Sequence, residues 1–544
     1  MGFDESRMKR REFLTRIGRT MGASAMLRAA VAMGLAAGVP GCGSSSASGG
    51  SQSPLPPAPP PPPPPNRMQS PRPGDWPANV GVGRSVIVLG AGIAGMTAAL
   101  EMTRLGYSCS VLEATARAGG RNRTVRGGDV VTETDSSQTC LWDTDSELYF
   151  NSGPARIAHH HEFLLGYCRE FGVALETFTN DNRAALLHST NWFGGQPQIA
   201  RRVLADSRGN IARLLTTAVN QNALDQELSA ADRSNLLAML QNFGALNGTT
   251  YTGSTRAGFP GQENVGSRQR GEVLPPQALT ELLSDAQMLS RADFPHGLEQ
   301  QPTMLQPVGG MDRIAQAFEA QVAQDITFEA VVQEIRKTPT GARVVYQDRF
   351  GAMQTVDADF CVCTIPATVL RSIPNDFAAA HNTEIMAFNY TQATKIAFQS
   401  RRFWEQDHNI YGGISWTNQN ITQIWYPSSG FGQQSGILVG SYIFGGPAGT
   451  DFTNQSPQAR INSTTTQANA LHSQFGNEVT RGLSVAWPKV PFQLGAWGTS
   501  TPNVLLTPDD SIHFAGEHLS ILQGWQEGAI LSAYHAIDNV VADT

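Results

Sequence analysis

The pattern of hydrophobic and polar positions changes along the chain. A polar and basic start leads into a short, weakly apolar run of small residues at 21–38, and the stretch 43–65 then has almost no large hydrophobic side chain. From 84 to 114 the pattern becomes that of a folded protein: an apolar strand, a glycine turn, an amphipathic helix and a second apolar strand. At 544 residues, the chain is long enough for more than one packed unit.

The first 41 residues have the composition of an export signal. Arg10 and Arg11 precede the apolar run, which contains no acidic residue, and this order is typical of a twin-arginine signal. Arg28 interrupts a run that is already short, which argues against a permanent membrane span. We therefore expect export by the twin-arginine route to the periplasm or the cell surface.

Residues 42–80 are predicted to be a tether. Cys42 follows small residues at the end of the apolar run, as in the lipid-attachment site of a lipoprotein, although Pro40 departs from the usual pattern. Lipid attachment and plain cleavage nearby both stay open. The remaining Gly/Ser and polyproline stretch predicts a flexible piece followed by a stiff spacer.

Charge and cysteine spacing exclude several classes of function. The formal net charge is −7 and the first 41 residues are net basic, so the body is acidic and neither nucleic acid nor anionic lipid is expected as its main partner. The five cysteines after Cys42 are widely spaced and form neither a disulfide framework nor a CxxC metal site. Cys361 and Cys363 alternate within an apolar run, which predicts packing in a strand.

The run 84–114 predicts a dinucleotide site. Gly90, Gly92 and Gly95 form GxGxxG between a strand and a helix, where glycines let the backbone turn tightly and approach a pyrophosphate at the helix start. Glu113 ends the second strand about twenty residues on, where a carboxylate can bind a ribose diol.

The sequence after Glu113 resembles the flavin-containing amine oxidase family. Arg117, Gly119, Gly120 and Arg121 give RxGGR, which in that family holds the phosphates of FAD. Similar stretches follow in the family's order: "PVGGMDRIAQAF", "ITFEAVVQEI", "CVCTIP" and "IHFAGEHLSILQGWQEGAILSAYHAI". The resemblance covers the chain from about residue 84 to its end. It assigns these residues to the FAD site: Gly90, Gly92, Ala94, Gly95, Glu113, Ala114, Arg117, Gly120, Arg121, Gly153, Pro154, Ala155, Arg156, Val332, Gly516, Glu517, Gly524 and Trp525.

"GPARIAHHHEFL", residues 153–164, raises the choice between an anion site at Arg156 and a metal site at three histidines. In the L-amino-acid oxidase branch that this stretch resembles, the arginine binds the substrate carboxylate, and Tyr442, Gly524 and Trp525 complete the substrate site. We interpret the histidines as the start of an amphipathic helix. Adjacent helical residues point about 100° apart, so three in a row cannot converge on one ion, and no metal is predicted.

Lys395 is the predicted catalytic residue. Outside the export signal, the only lysines of the chain are Lys337, Lys395 and Lys489. The stretch "TKIAFQSRRFW" resembles the family's segment whose lysine holds a water at flavin N5. A lysine can lose its proton on burial, which an arginine cannot.

The resemblance implies an α/β fold of the amine oxidase and glutathione-reductase type, with a Rossmann-like FAD-binding domain, a mixed-sheet substrate domain and a helical insertion. The expected segments are FAD-binding segment 1 (84–150), a substrate-binding segment (151–194), the helical insertion (195–295), FAD-binding segment 2 (300–370), the substrate domain (371–500) and FAD-binding segment 3 (501–544).

The function implied is FAD-dependent oxidation of an L-amino acid to a 2-oxo acid, ammonia and hydrogen peroxide. Its partners are then a small-molecule amino acid and dioxygen, while monomer and homodimer both stay open. Two alternatives keep the flavin: oxidation of an amine without a carboxylate, and amino-acid monooxygenation. A third is a tethered, non-catalytic binding protein. The preferred side chain is not indicated by the sequence.

Overall fold

The computed structural model describes residues 71–224, 227–260 and 271–544. The predicted export signal, Cys42 and all but the end of the 42–80 tether lie outside the described residues, so these interpretations stay predictions. In the part of the chain that is described, no helix combines the length and apolarity needed to cross a membrane.

Within the described ranges, strands and helices are mixed along the whole sequence. The strands are β1 (Ser85–Leu89), β2 (Ser108–Leu112), β3 (Thr124–Arg126), β4 (Val130–Glu133), β5 (Ser136–Thr139), β6 (Tyr149–Asn151), β7 (Leu175–Phe178), β8 (Leu186–His188), β9 (Gln198–Ile199), β10 (Met304–Pro307), β11 (Ile326–Thr327), β12 (Val331–Thr338), β13 (Gly341–Gln347), β14 (Met353–Ala358), β15 (Phe360–Cys363), β16 (Ala393–Arg401), β17 (Gly413–Thr417), β18 (Gln423–Tyr426), β19 (Ser435–Phe444), β20 (Val479–Ala486) and β21 (Ile512–Phe514). The helices are α1 (Ile93–Arg104), α2 (Glu162–Glu170), α3 (Ala200–Asn220), α4 (Ala230–Phe243), α5 (Leu279–Leu282), α6 (Ala286–Arg291), α7 (Asp312–Val322), α8 (Ala367–Leu370), α9 (Ala379–Ala387), α10 (Phe403–Gln406), α11 (Gly446–Asn454), α12 (Pro457–Ala468), α13 (Phe475–Glu478) and α14 (Gln526–Asp543).

A five-stranded parallel sheet confirms the Rossmann-like part of the predicted fold. Its strand order is β11-β2-β1-β15-β21, with β1 in the centre. The order strand, helix, strand predicted for residues 84–113 is present as β1, α1 and β2. Cys361 and Cys363 lie in the fully buried strand β15, as the alternating pattern predicted.

The sheet separates two hydrophobic cores because successive residues of β1 point to opposite faces. Val86 and Val88 pack among residues of α1, α2, α7 and α14. Ile87 and Leu89 pack on the other face against residues of the three-stranded sheet β12-β13-β14. The five-stranded sheet is therefore covered on both sides, as parallel sheets usually are.

A seven-stranded mixed sheet confirms the mixed sheet predicted as the second part of the fold. Its order is β20-β16-β19-β18-β17-β8-β9, with β17 and β8 parallel and β16 antiparallel to both β19 and β20. Ile396 and Phe398 of β16 pack in one core, and Ala393 and Ala397 pack in another on the opposite side. Lys395 follows Ala393 by two residues and so shares its side of the strand.

The described residues fall into two compact units. Residues 71–200 and 285–544 belong to the larger one, which contains all the sheets described above, and residues 201–284 belong to the smaller one. In the smaller unit, Ala212, Leu240, Leu246 and Tyr251 form a small core. The carboxylate of Asp206 there accepts hydrogen bonds from the Tyr251 hydroxyl and the Gln277 backbone.

The ion pair between Arg460 and Glu133 is buried, and we expect it to stabilise the part of the protein that contains the seven-stranded mixed sheet. Arg460 and Glu133 have no exposed side-chain surface, and Arg460 Nη1 lies 2.7 and 2.9 Å from the two Glu133 oxygens. Arg460→Met should lower the free energy of unfolding by about 3–5 kcal/mol, because it leaves the Glu133 carboxylate buried without its partner. Urea unfolding of the holoenzyme measures this loss.

The matched control for this variant is Arg343→Met, which breaks the exposed ion pair with Asp357. It should change stability little because water screens that pair. Glu133→Leu combined with Arg460→Met should recover much of the lost stability. If the single Arg460→Met variant were as stable as the wild type, the buried pair of Arg460 with Glu133 would not stabilise the fold.

Candidate active site

A cavity of about 380 Å³ lies at the carboxyl ends of the parallel strands. Gly90 follows β1, Glu113 follows β2, Thr364 follows β15 and Gly516 follows β21, and all four residues line it. Ligands of open α/β sheets bind at this edge, because the loops and helix N-termini that follow the strands meet there. The cavity is therefore the candidate site for a dinucleotide.

The first glycine turn has the shape that a pyrophosphate requires. Gly90 adopts a φ of +104°, which side-chain-bearing residues rarely adopt, and a Cβ on Gly95 would lie 1.9 Å from the Gly90 oxygen. A Cβ on Gly92, in contrast, would meet no atom within 4 Å. Gly92 is the N-cap of α1 and lines the cavity, so the free amides at the start of α1 are accessible to an anion.

Glu113 is buried at the end of β2 and lines the cavity. Its Oε2 accepts a hydrogen bond from the Ala91 amide at 2.8 Å, and its Oε1 accepts one from the Thr115 amide at 2.9 Å. These bonds fix the carboxylate beside the glycine turn. Oε1 also accepts a hydrogen bond from the Thr115 hydroxyl at 2.7 Å, so Oε2 is the oxygen that can accept a further hydrogen bond, as the predicted contact with a ribose diol requires.

The two arginines of RxGGR do different things. Arg117 does not line the cavity; its guanidinium donates to the Ala118 and Gly120 carbonyls, so it stabilises the shape of the glycine loop. Arg121 lines the cavity and pairs with Glu517, with Nη1 2.6 Å from Oε1. Glu517 Oε2 in turn accepts a hydrogen bond from the Gly524 amide at 2.8 Å, which ties the loop to the last segment of the chain.

Most of the other residues predicted for the cofactor also line this cavity. They are Ala94, Ala114, Gly120, Gly153, Pro154, Val332, Gly516, Gly524 and Trp525. Gly95 packs against the backbone of the glycine turn and does not line the cavity. Ala155 lines a small neighbouring cavity, and Arg156 lines neither of the two.

Lys395 is buried between both cavities, and it lines each of them. Its Nζ donates hydrogen bonds to the Asn151 carbonyl at 3.1 Å and the Gly153 carbonyl at 2.5 Å. Burial, and secondarily the positive charge of Arg156, lowers the pKa of Lys395 to about 7. The amine can therefore exist in both protonation states near neutral pH.

Within the described part of the chain, Arg156 is a cation without an anionic partner. Its guanidinium carbon lies 4.5 Å from the Trp425 ring centroid and 5.6–5.9 Å from the centroids of Phe178, Phe294 and Trp525. Its Nε and Nη1 are shielded from solvent and have no hydrogen-bond partner among the described residues. Burial lowers the pKa of Arg156 to about 10, so it stays charged at neutral pH.

Tyr442 lies opposite Lys395 in the register of β16 and β19. Its ring packs edge-on against Trp425, with centroids 5.1 Å apart, and Lys395 Nζ lies 4.6 Å from its centroid. Burial raises the pKa of Tyr442 to about 12. Its hydroxyl therefore keeps its proton at neutral pH and can donate a hydrogen bond to an anion.

The last helix begins at the cavity. Trp525 is the N-cap of α14, and Trp525, Gln526 and Ala529 all line the cavity. Gly524 has a φ of +82°, and a Cβ there would lie 3.3 Å from the Trp497 ring. The start of α14 can therefore stabilise negative charge in the cavity by its amides and dipole.

The helical placement of the three histidines was wrong. Helix α2 begins at Glu162, and His161 is its N-cap, so His159, His160 and His161 precede the helix. The 100° rule for helical neighbours does not apply to them. His160 Nε2 and His161 Nε2 lie 3.0 and 2.8 Å from the two carboxylate oxygens of Glu299.

Several residues of the site were not found from the sequence. Phe178, Phe294 and Trp425 surround Arg156, although they come from three distant segments. The sequence gives no local signal for them, since an aromatic residue in a strand is usually a core residue. Asn122, Trp487 and Gln493 also line the cavity; of these, only Asn122 directly follows a recognised motif.

Comparison with known proteins was made at the level of sequence and of structure. Residues 93–541 match the family model described as flavin containing amine oxidoreductase. The chain is 24% identical over 485 residues to a putative L-amino-acid oxidase, YobN, of Bacillus subtilis (strain 168). This alignment covers 82% of this chain and 93% of the relative. It is 26% identical over 494 residues to the flavin-dependent L-tryptophan oxidase RebO of Lentzea aerocolonigenes, covering 84% and 98%.

Solved structures share the fold. The chain superposes on a triple mutant of putrescine oxidase with a TM-score of 0.55 at 15% identity, covering 85% of this chain and 99% of that one. The values for cyclohexylamine oxidase from Brevibacterium oxydans IH-35A are the same. The cavity described above fits the FAD of such proteins, because an uncapped helix start, an open Gly92 and a fixed carboxylate stand where a dinucleotide needs them.

The lowered pKa of Lys395 predicts that stability rises with pH above neutrality. Between pH 7 and 10.5 the unfolded chain holds a proton that folded Lys395 has released. The free energy of unfolding should therefore increase with pH, by at most about 1.4 kcal/mol per unit. Urea unfolding of the wild type and of Lys395→Met between pH 7 and 9.5 measures this; their difference should grow, because methionine does not titrate. A constant difference would mean that Lys395 has its ordinary pKa.

Proposed function

The chain belongs to the family of flavin-containing amine oxidoreductases, and from this premise we propose that it catalyses the oxidative deamination of an L-amino acid. FAD is its cofactor. The observation that carries the proposal is the guanidinium of Arg156, which has no anionic partner among the residues that the structure describes and interacts electrostatically with Lys395 and Tyr442. The overall reaction converts the amino acid, dioxygen and water to a 2-oxo acid, ammonia and hydrogen peroxide.

The substrate carboxylate is the partner that Arg156 lacks among the described residues. A guanidinium shielded from solvent without an anion is unfavourable, and a carboxylate can accept two parallel hydrogen bonds from its planar fork. The neutral hydroxyl of Tyr442 donates a further hydrogen bond to the same carboxylate. An amine without a carboxylate would leave the Arg156 charge uncompensated.

The remaining polar groups orient the amino group. The Gly524 carbonyl accepts a hydrogen bond from the substrate amine, and the Trp525 ring forms the wall beside it. Holding both ends of the substrate fixes the α-carbon in one orientation, and such positioning can lower the barrier by several kcal/mol.

Lys395 holds a water and moves protons at the centre of the site. With a pKa of about 7, its Nζ can donate or accept a proton near neutral pH, while the Asn151 and Gly153 carbonyls fix its position. When bound, FAD supplies the group that takes up two electrons and a hydrogen from the substrate and passes the electrons to dioxygen.

The relatives support this substrate class. YobN is named a putative L-amino-acid oxidase and RebO an L-tryptophan oxidase, and both match most of the chain. The solved neighbours are named oxidases of putrescine and cyclohexylamine, which carry no carboxylate; at 15% identity they support the fold alone.

An anaerobic substrate panel tests the proposal. Purified yellow holoenzyme is mixed with the common L-amino acids and, in parallel, with the corresponding decarboxylated amines, and the loss of flavin absorbance is followed. We expect bleaching by one or several amino acids and much slower bleaching by their amines. Under air, the products should be a 2-oxo acid and hydrogen peroxide; an amide one carbon shorter would indicate a monooxygenase, and no bleaching by any compound would favour a binding protein.

Arg156→Ala should cost about 2–5 kcal/mol of binding or transition-state energy toward the amino acid, the range for truncating one side of a buried charge pair. Tyr442→Phe should cost about 0.5–1.5 kcal/mol, the contribution of one hydrogen bond. The measurement is kcat/KM for an amino acid and for its amine.

The ratio of the two kcat/KM values distinguishes a binding role from general damage. Arg156→Ala should lower the ratio of kcat/KM for the amino acid to kcat/KM for its decarboxylated amine. Arg291→Ala is the matched control, because Arg291 lies 5.1 Å from the Trp416 centroid and outside the Arg156 ring cluster. An unchanged acid-to-amine ratio in Arg156→Ala would instead favour an oxidase of simple amines.

Lys395→Met should keep FAD bound while slowing flavin reduction, flavin reoxidation or both, because Lys395 is assigned to a water and not to the nucleotide. Stopped-flow absorbance separates the two half-reactions. Lys489→Met is the control, since Lys489 pairs with the exposed Asp135. Wild-type rates in both half-reactions of Lys395→Met would make Lys395 a structural residue of β16.

A further inference from the structure

We propose that His160, His161 and Glu299 form a binding site for a divalent transition-metal ion, with Zn²⁺ as the best match. The site is separate from the flavin cofactor and goes beyond the proposed oxidation. Two imidazole nitrogens and a carboxylate are a ligand set that zinc accepts readily.

The distances between the ligand atoms fit one ion. One ligand atom from each of the three residues lies within 4.8 Å of the other two, and the two distances from Nε2 to carboxylate oxygen are 3.0 and 2.8 Å. Two ligands bound tetrahedrally to zinc at its usual bond lengths are about 3.4 Å apart. The two nitrogen–oxygen distances are within about 0.6 Å of this value, so small rotations of the three side chains would bring their ligand atoms to coordinating positions.

The local backbone explains why two consecutive histidines converge. His161 has φ −76° and ψ 72°, outside the helical region, and α2 begins only at Glu162. The His160 and His161 rings contact each other with centroids 4.9 Å apart and planes at 77°. Glu299 lies in the short 3-10 turn Leu298–Gln300, and its two oxygens face the two rings.

The surroundings of the cluster also suit metal binding. The His161 side chain has no exposed surface. Glu527 adds a further carboxylate nearby, which accepts hydrogen bonds from the Phe163 and Leu164 amides.

The cluster is connected to the large cavity through one ring. The His161 ring packs edge-on against Trp525, with centroids 5.0 Å apart, and Trp525 lines the cavity. Coordination would fix the orientation of His161 and hence its contact with Trp525. Three protein ligands leave a fourth position for water or an added anion, as in zinc sites that keep an open position.

Isothermal titration of EDTA-treated holoenzyme with ZnCl₂ tests the site without reference to catalysis. The wild type should bind one ion per chain at this site. His161→Ala and Glu299→Gln should each weaken binding by more than about 100-fold, because changes one shell further out already weaken metal sites by about 10- to 100-fold. His159→Ala is the matched control and should bind as the wild type does, since His159 is exposed and outside the cluster.

Two further measurements keep the result interpretable. The flavin absorbance spectrum of each variant shows whether it still folds around its cofactor, and Glu299→Gln keeps the shape of the side chain while removing its charge. X-ray absorption at the zinc edge should show two imidazoles and carboxylate oxygen. The proposal is overturned if the wild type binds no zinc, if Glu299→Gln binds it equally well, or if the ligands are sulfur or oxygen only; none of these outcomes affects the proposed oxidation.

Discussion

Two cations impose the main physical constraint on this protein: Lys395, which is buried, and Arg156, whose Nε and Nη1 are shielded from solvent. Burial lowers the pKa of both side chains, and the charge of Arg156 lowers that of Lys395 further. Backbone carbonyls hold Lys395, and four aromatic rings surround Arg156, each able to contribute about 0.5–2 kcal/mol. These contacts position the two cations without neutralising them, and this is the basis for the anionic ligand of the proposed function.

The fold is arranged to hold these two side chains in place. Lys395 lies on β16, which has partners on both sides, so its backbone is fixed by the sheet. Arg156 follows the segment whose Asn151 and Gly153 carbonyls bind Lys395. The Arg121–Glu517 pair ties the second glycine loop to the segment before α14. Segments far apart in sequence thus meet at one cavity, and side chains from both large sheets line it.

The sequence predicted the parts of the site that depend on local backbone shape. Gly90 and Gly95 were recognisable because a tight turn and a close helix contact tolerate only glycine. The ring cluster around Arg156 was not predictable, because strand register and not local sequence brings Trp425 to it. The prediction for the histidines was wrong for a related reason. The helical pattern was assigned about one turn too early, and Glu299, which contacts two of the histidines, comes from a turn distant in sequence.

In the proposed reaction, Arg156 and Lys395 would also couple the charge of the substrate to proton transfer. While Arg156 is unpaired, its charge favours the neutral form of Lys395. A carboxylate bound to Arg156 offsets that charge and so raises the pKa of Lys395, which then retains its proton more readily near neutral pH. An amine without a carboxylate leaves the repulsion in place. Under the proposed function, an amino acid and its decarboxylated amine would therefore encounter Lys395 in different average protonation states.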